Sequence, residues 1–256
     1  MHRNNSFLLR LLVIVNLICW VQCLPSDAAS LEKRVALVIG NSAYQNTPAL
    51  ANPRNDATEI GKVLKRLGFE VDVQVDLTKS TLDKVLRQFG DRLEGAQVAV
   101  FYYAGHGIQV AGTNYLIPID ATLRKEKDLY FEVSELNLVL QQMEGAQRVN
   151  LVFLDACRDN PLSKKLAEGM GSGRSTLIGR GLAPMKASDG TMISYATKDG
   201  EVASDGKGKH SPYSQAILNH IEAPMEISQM LRKVREDVKK NNRQQANSMG
   251  IWLIDG

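Results

Sequence analysis

Two reactive side chains stand at matching places in the sequence. Cys157 lies in VFLDACRDNP and His106 in VAVFYYAGHG, each just beyond an apolar run that reads as a buried strand. A thiol with an imidazole is the minimum for nucleophilic acyl transfer. The thiolate attacks a carbonyl, and the imidazole, which titrates near neutral pH, protonates the leaving group. Arg158 beside the thiol and a loop at a strand's C-terminal end both favour the thiolate. Of the four histidines, His2 falls in an N-terminal leader, His210 in a polar turn and His220 near a helix end, which leaves His106 as the partner. Gly105 and Gly107 flank it, so a substrate backbone is expected to approach the ring closely. The amide of Gly107, with that of Cys157, is a candidate oxyanion hole. The bland alternatives are a packed bystander thiol and a histidine that only holds a turn. Zinc is disfavoured, because one cysteine and one histidine fall short of the three or four ligands it takes; no metal site is assigned.

The elements that must carry these residues follow from the apolar pattern. Runs at Arg34 to Ile39, Phe69 to Val75, Val98 to Ala104 and Arg148 to Leu154 read as core strands. Between them, residues 57–67, a stretch capped by Thr78 or Ser80, and Val133 to Met143 show helical spacing. Such alternation predicts an α/β fold, a mainly parallel central sheet flanked by helices on both faces. Sites in such sheets gather beyond the C-terminal ends of the strands. Tyr115 to Ile119 reads as a short extended piece. A Gly-, Ser- and Lys/Arg-rich segment over 162–188 reads as a flexible linker. After it come a strand at Thr191 to Ala196, helices at Ser211 to Ile221 and Ile227 to Val238, and a last strand at Ile251 to Ile254.

The N-terminus is of another kind. His2 and Arg3 precede an apolar run from Phe7 to Cys23, followed by small residues around Ala28 and Ala29. That is the pattern of a signal peptide over 1–29, and it predicts an exported, periplasmic or secreted protein; the alternative is a single retained anchor. Cys19 and Cys23 lie in or beside this leader, so the exported chain keeps one thiol of the three, Cys157, which cannot form an internal disulfide. A formal charge of +3 with no basic run argues against a nucleic-acid partner. The 44% hydrophobic and 23% charged residues are ordinary for a globular domain. No membrane contact is expected once the leader is gone, and a monomer without an added binding domain is expected. A nucleotide-binding reading, prompted by VIGNSAY after the first strand, is weak, since that loop has one glycine and no lysine.

YYAGHG and DACRDN together resemble the histidine and cysteine motifs of caspase-like cysteine peptidases of the caspase–hemoglobinase fold, within them the metacaspases and orthocaspases. The resemblance covers nearly all of residues 34–256, and the interval between the two motifs is close to the ≈ 50 residues typical of caspases. LANPRNDA resembles the family's asparagine–aspartate–alanine segment; SYATKDGEVASDG and SPYSQAIL resemble its small-subunit region. The implied division is large-subunit-like 34–161, linker 162–188 and small-subunit-like 189–256. The resemblance implies Cys157 as nucleophile and His106 as general acid/base, with no orienting carboxylate evident. It also implies Asp155 and Asp56 as paired carboxylates at the base of the substrate pocket, and Ser194 and Tyr195 on the strand that lines the cleft. Asp56 alone also reads as a helix N-cap. Two carboxylates suit a guanidinium, which binds them in bidentate fashion, ahead of an ammonium. The implied activity is cleavage of protein or peptide substrates after Arg, then Lys, with a non-proteolytic peptide-binding domain as the alternative. Lys164, Lys165, Arg174 and Arg180 are candidate self-cleavage sites in a zymogen, with Arg174 and Arg180 ahead. Some members of the family need calcium; Asp199, Glu201 and Asp205 lack a recognised calcium spacing, so no cofactor is expected. His210 stands where the family often has asparagine, and QQANSMGIW lacks a proline often found before the final segment.

Overall fold

The computed structural model describes residues 32–145, 147–157, 161–170, 177–179, 181–196 and 208–248. The first strand, β1 (Arg34–Gly40), is buried along almost its whole length because both of its faces are covered, which is why it reads as an unbroken apolar run. It is followed by α1 (Pro53–Arg66), β2 (Glu70–Val75), α2 (Lys79–Arg92) and β3 (Val98–Val110). Next come β4 (Thr113–Leu116), the one-turn α3 (Leu129–Glu132), β5 (Ser134–Glu135), α4 (Leu136–Met143) and β6 (Val149–Cys157). The chain continues with α5 (Pro161–Met170), β7 (Ile178–Gly179), β8 (Thr191–Tyr195), α6 (Pro212–His220) and α7 (Ile227–Ser248).

Five strands pair in parallel in the order β2-β1-β3-β6-β8. The chain moves from β1 to β2 on one side and then to β3 on the other, so the order reverses between β1 and β3, where open α/β sheets place their ligands. One face packs Val38, Tyr102, Ala104 and Phe153 against α1, α6 and α7. The other packs Leu37, Phe101, Tyr103, Leu154 and Ala156 against α2 and α4. The expected fold is the observed one, and the helix starts follow their local signals. Pro53 opens α1, and the Thr78 hydroxyl caps α2 by accepting from the Thr81 N–H.

Three expectations are corrected. β3 does not stop at Ala104 but runs on to Val110, so His106 lies inside a strand rather than beyond one. The apolar run ends at Ala104, yet past Gly105 the chain gains β4 and β7 as antiparallel partners, which hold it extended. The supposed linker over 162–188 contains α5, with Leu166 fully buried among Ile108, Ile117 and Leu129, and the short β7. Its composition concealed an apolar pair one turn apart, Leu166 and Met170. Val133 to Met143 divides into a short strand and a helix that starts at Leu136. The leader and the strand expected at Ile251 to Ile254 lie outside the described residues. Among the described residues no helix is long and apolar enough to cross a membrane.

Candidate active site

Strands β3 and β6 run side by side in parallel from Val98 paired with Val149 to His106 paired with Cys157. The two motifs are thus brought to one register position at the C-terminal rim of the sheet, on strands about 4.8 Å apart. Cys157 is the last residue of β6. His106 is 3% exposed, and its ring is held from the loop after β1. Its Nε2 lies 3.1 Å from the Pro48 carbonyl oxygen. A carbonyl only accepts, so Nε2 carries the hydrogen and Nδ1 is the basic nitrogen of the neutral ring. The partner that orients the imidazole is therefore a backbone carbonyl rather than a carboxylate.

Two tyrosines fix the backbone of the same residue. The Tyr44 hydroxyl accepts the His106 N–H at 2.7 Å, and its ring lies 4.4 Å from the imidazole, centroid to centroid. The Tyr103 hydroxyl donates to the His106 carbonyl at 2.8 Å. This gives the glycines a different purpose from the one expected. A Cβ on Gly105 would sit 2.7 Å from the Tyr44 hydroxyl and 2.8 Å from that of Tyr103. A Cβ on Gly107 would meet Ala156 and Leu182, each at 3.1 Å. Both glycines make room for the protein's own side chains, not for a substrate backbone.

Asp56 and Asp155 converge below this rim, 1% and 6% exposed. Asp56 is not the N-cap of α1; that position is Asn52, and the Asp56 N–H already bonds the Asn52 carbonyl. Its carboxylate turns to the segment before α6, where His210 Nδ1 lies 2.7 Å from Oδ1 and the Ser211 N–H donates to Oδ2 at 3.3 Å. Asp155 accepts from the hydroxyls of Ser211 and, at 2.6 Å, Ser214. Ser211 therefore links the two carboxylates while its hydroxyl also caps α6 by accepting the Ser214 N–H. The first turn of that helix and the residue before it thus supply donors to both acids. Tyr102 extends the network to Ser214 at 2.6 Å. Burial, then the charges of Asp155 and Asp56, push the Tyr102 phenol well above its ordinary range, so it stays a neutral hydrogen-bonding group. Burial pulls His210 below the ordinary histidine value; Glu59 opposes this and Lys209 adds to it.

The remaining candidates divide. Ser194 lies on β8 beside β6, with its hydroxyl 2.7 Å from that of Tyr213 on α6. Tyr195 packs on the opposite face, against the α2 and α4 side, and its hydroxyl reaches the Ala183 carbonyl at 3.4 Å, so the structure does not bring it to the two aspartates. Lys164 and Lys165 lie on α5. Arg174, Arg180, Asp199, Glu201 and Asp205 lie outside the described residues. The loop once read for phosphate is committed elsewhere. The amides of Ser42 and Ala43 donate to Asp76 at 2.7 and 2.8 Å, and the Asn41 side chain bonds the backbones of Ile117 and Leu77.

The sequence reading missed Pro48, Tyr44, Tyr103, Ser211 and Ser214, and it placed His210 in a polar turn and at a position where the family often has asparagine, without a role. Ser-Pro before an apolar stretch was a legible cap signal for Ser211. Nothing local pointed from His210 to Asp56, 154 positions away.

Comparison with known proteins decides the family. A family model described as the caspase domain matches residues 33–250. The chain belongs to the caspase-domain family. Human mucosa-associated lymphoid tissue lymphoma translocation protein 1 is 30% identical over 133 residues, 52% of this chain and 16% of that protein. Its mouse homolog is 31% identical over 127 residues, 50% of this chain and 15% of its own length. Pig caspase-1 is 26% identical over 144 residues, 52% of this chain and 33% of that protein. Each alignment spans about half of this chain and a third or less of the relative. Membership of the caspase-domain family supports cysteine peptidase chemistry as a class.

Proposed function

We propose that the protein is a cysteine endopeptidase that cleaves after Arg, and less readily after Lys, with Cys157 as nucleophile and His106 as general acid/base. The observation that carries this reading is the register pairing of His106 with Cys157 on adjacent parallel strands. The Cys157 thiolate attacks the scissile carbonyl carbon, and the amides of Gly107 and Cys157 bind the oxygen that becomes negative. His106, oriented by Pro48, gives a proton to the leaving amine. It then takes one from the water that hydrolyses the thioester, and the sulfur leaves as thiolate, which restores the starting thiolate–imidazolium pair. Asp56 and Asp155 receive the guanidinium of the residue before the cut, and burial of both carboxylates strengthens their hold on a cation. Ser194 lines the same side of the cleft. The nearest class within the family is the metacaspase and orthocaspase type, and no metal ion is required.

Self-processing after Arg174 or Arg180 belongs to this reading, as does export directed by the N-terminal leader. Lys164 and Lys165 are poorer sites, because a bond within a helix must first unwind to enter an extended-peptide cleft. The test uses two fluorogenic peptides that differ only in Arg or Asp before the reporter, with Cys157→Ala as control. Turnover of the Arg peptide alone, lost in the control, is the expected result. Equal or faster turnover of the Asp peptide overturns the specificity, and unchanged turnover by Cys157→Ala overturns the mechanism.

A further inference from the structure

We propose that His210 sets the charge of the pocket formed by Asp56 and Asp155, and with it the pocket's selection of a cationic side chain over an uncharged isostere. This rests on the reading of that pocket as the site for a basic residue. His210 precedes α6 and comes from a part of the chain remote from both acids, yet its Nδ1 lies 2.7 Å from Asp56 Oδ1. A carboxylate only accepts, so Nδ1 carries a hydrogen and the neutral ring keeps its lone pair at Nε2. In that form His210 is a second donor to Asp56, alongside the Ser211 N–H, and adds no charge. Two donors from one segment hold the carboxylate plane in place and favour its ionised form. The pocket then presents two negative charges to an incoming guanidinium.

Protonation at Nε2 reverses this. An imidazolium in contact with Asp56 cancels one of the two charges at the place where the substrate cation is to bind. The ring is placed to respond to solvent, since its side chain is 15% exposed while that of Asp56 is 1% exposed. Among the described residues the charged groups around it are Asp56 and Glu59 from α1, Lys209 from its own segment and, through Ser211, Asp155 from β6. Burial, the largest influence, and Lys209 favour the neutral ring; Glu59 opposes them, and a carboxylate in contact with the ring favours the imidazolium as well. The balance lies below the ordinary histidine value, and the pocket loses charge as the medium turns acidic. His210 does not touch the reacting atoms of this scheme; it acts through Asp56.

The experiment measures kcat/KM from pH 5 to 8 for two peptides that differ only in arginine or its uncharged isostere citrulline before the cut. Their ratio cancels the titration of Cys157 and His106, which both peptides share. In the wild-type protein the ratio is expected to fall about tenfold or more toward pH 5, mainly through KM of the arginine peptide. In His210→Asn the side-chain amide nitrogen stands about where Nδ1 stands and donates without titrating, so the ratio stays high and flat. His210→Ala loses the donor and lowers the ratio even at pH 8. Thermal melts of both variants separate this from a folding defect, and His210→Asn keeps the test valid if the alanine variant does not fold. The same fall with acid in His210→Asn as in wild type overturns the proposal. Turnover of both peptides with no arginine preference at any pH overturns the basic-pocket reading instead, and no turnover of either overturns the peptidase reading. Both of those results remove the present proposal as well.

Discussion

The histidine rim and the carboxylate pocket lie close in the fold and are held in different ways. Among the described residues His106 is held on its ring by the Pro48 carbonyl, on its N–H by the Tyr44 hydroxyl and on its carbonyl by the Tyr103 hydroxyl. Asp56 and Asp155 accept from donors of one segment: His210, the Ser211 N–H and the hydroxyls of Ser211 and Ser214. In the proposed scheme His106 gains and loses a proton in each cycle, and neutral partners orient it without trapping either form. In the same scheme the two carboxylates bind a cation while buried, and donors offset the cost of keeping a carboxylate at such low exposure. The difference shows how one sheet rim carries an imidazole and a pair of donor-bound carboxylates side by side.

The sharpest way to break this contrast is Asp155→Asn. Losing one charged acceptor from the pocket lowers kcat/KM for an arginine peptide about 10- to 100-fold, through KM, and leaves kcat for the citrulline peptide nearly unchanged. An equal loss for both peptides, measured by steady-state kinetics, would make Asp155 part of the scaffold. Gly105→Ala probes the neutral side. The added methyl meets two tyrosine hydroxyls whose positions are fixed by their bonds to His106, so stability falls by ~1–3 kcal/mol in urea unfolding, and turnover falls for both peptides alike. A selective loss for arginine would contradict the separation of the two regions.

Asp76 supplies a carboxylate with a third purpose. Burial raises its proton affinity, but the Ala43 and Ser42 amides and the Arg54 guanidinium outweigh that and hold it below the ordinary carboxylate value. A depressed folded-state value means stability that is present above the unfolded-state pKa, about 4, and lost as pH falls through the folded one. Asp76→Asn is therefore expected to cost ~1–3 kcal/mol at pH 7, with the gap to wild type closing as the pH falls below the unfolded-state value. Asparagine tolerates the positive φ of 54° at this position, so the comparison isolates the charge. The arginine-to-citrulline ratio should not change. A gap that persists in acid would mean that backbone fit, not charge, is what Asp76 provides.

Much of this site was legible in one dimension. The apolar runs that end near Ala104 and Leu154 named the two central strands, and the reactive pair stood where those runs led. Asp56 and Asp155 were named through the resemblance of their segments. The antiparallel extension was hidden because the apolar run ends at Ala104, whereas pairing with a partner strand carries the strand further. The helix α5 was hidden by a composition that favours loops. The carbonyl of Pro48 could not be found at all, since a backbone oxygen carries no residue signature.

By itself the sequence indicated most of the core strands and helices and nominated His106 and Cys157 as a candidate pair, because periodicity and side-chain chemistry are properties of neighbours along the chain. Only the tertiary structure decided that His106 and Cys157 share a register, that a carbonyl orients the imidazole and that His210 meets Asp56. Those are relations between groups remote in sequence. The hydrogen bonds that create them depend on where separate strands and loops come to rest, which no local preference encodes.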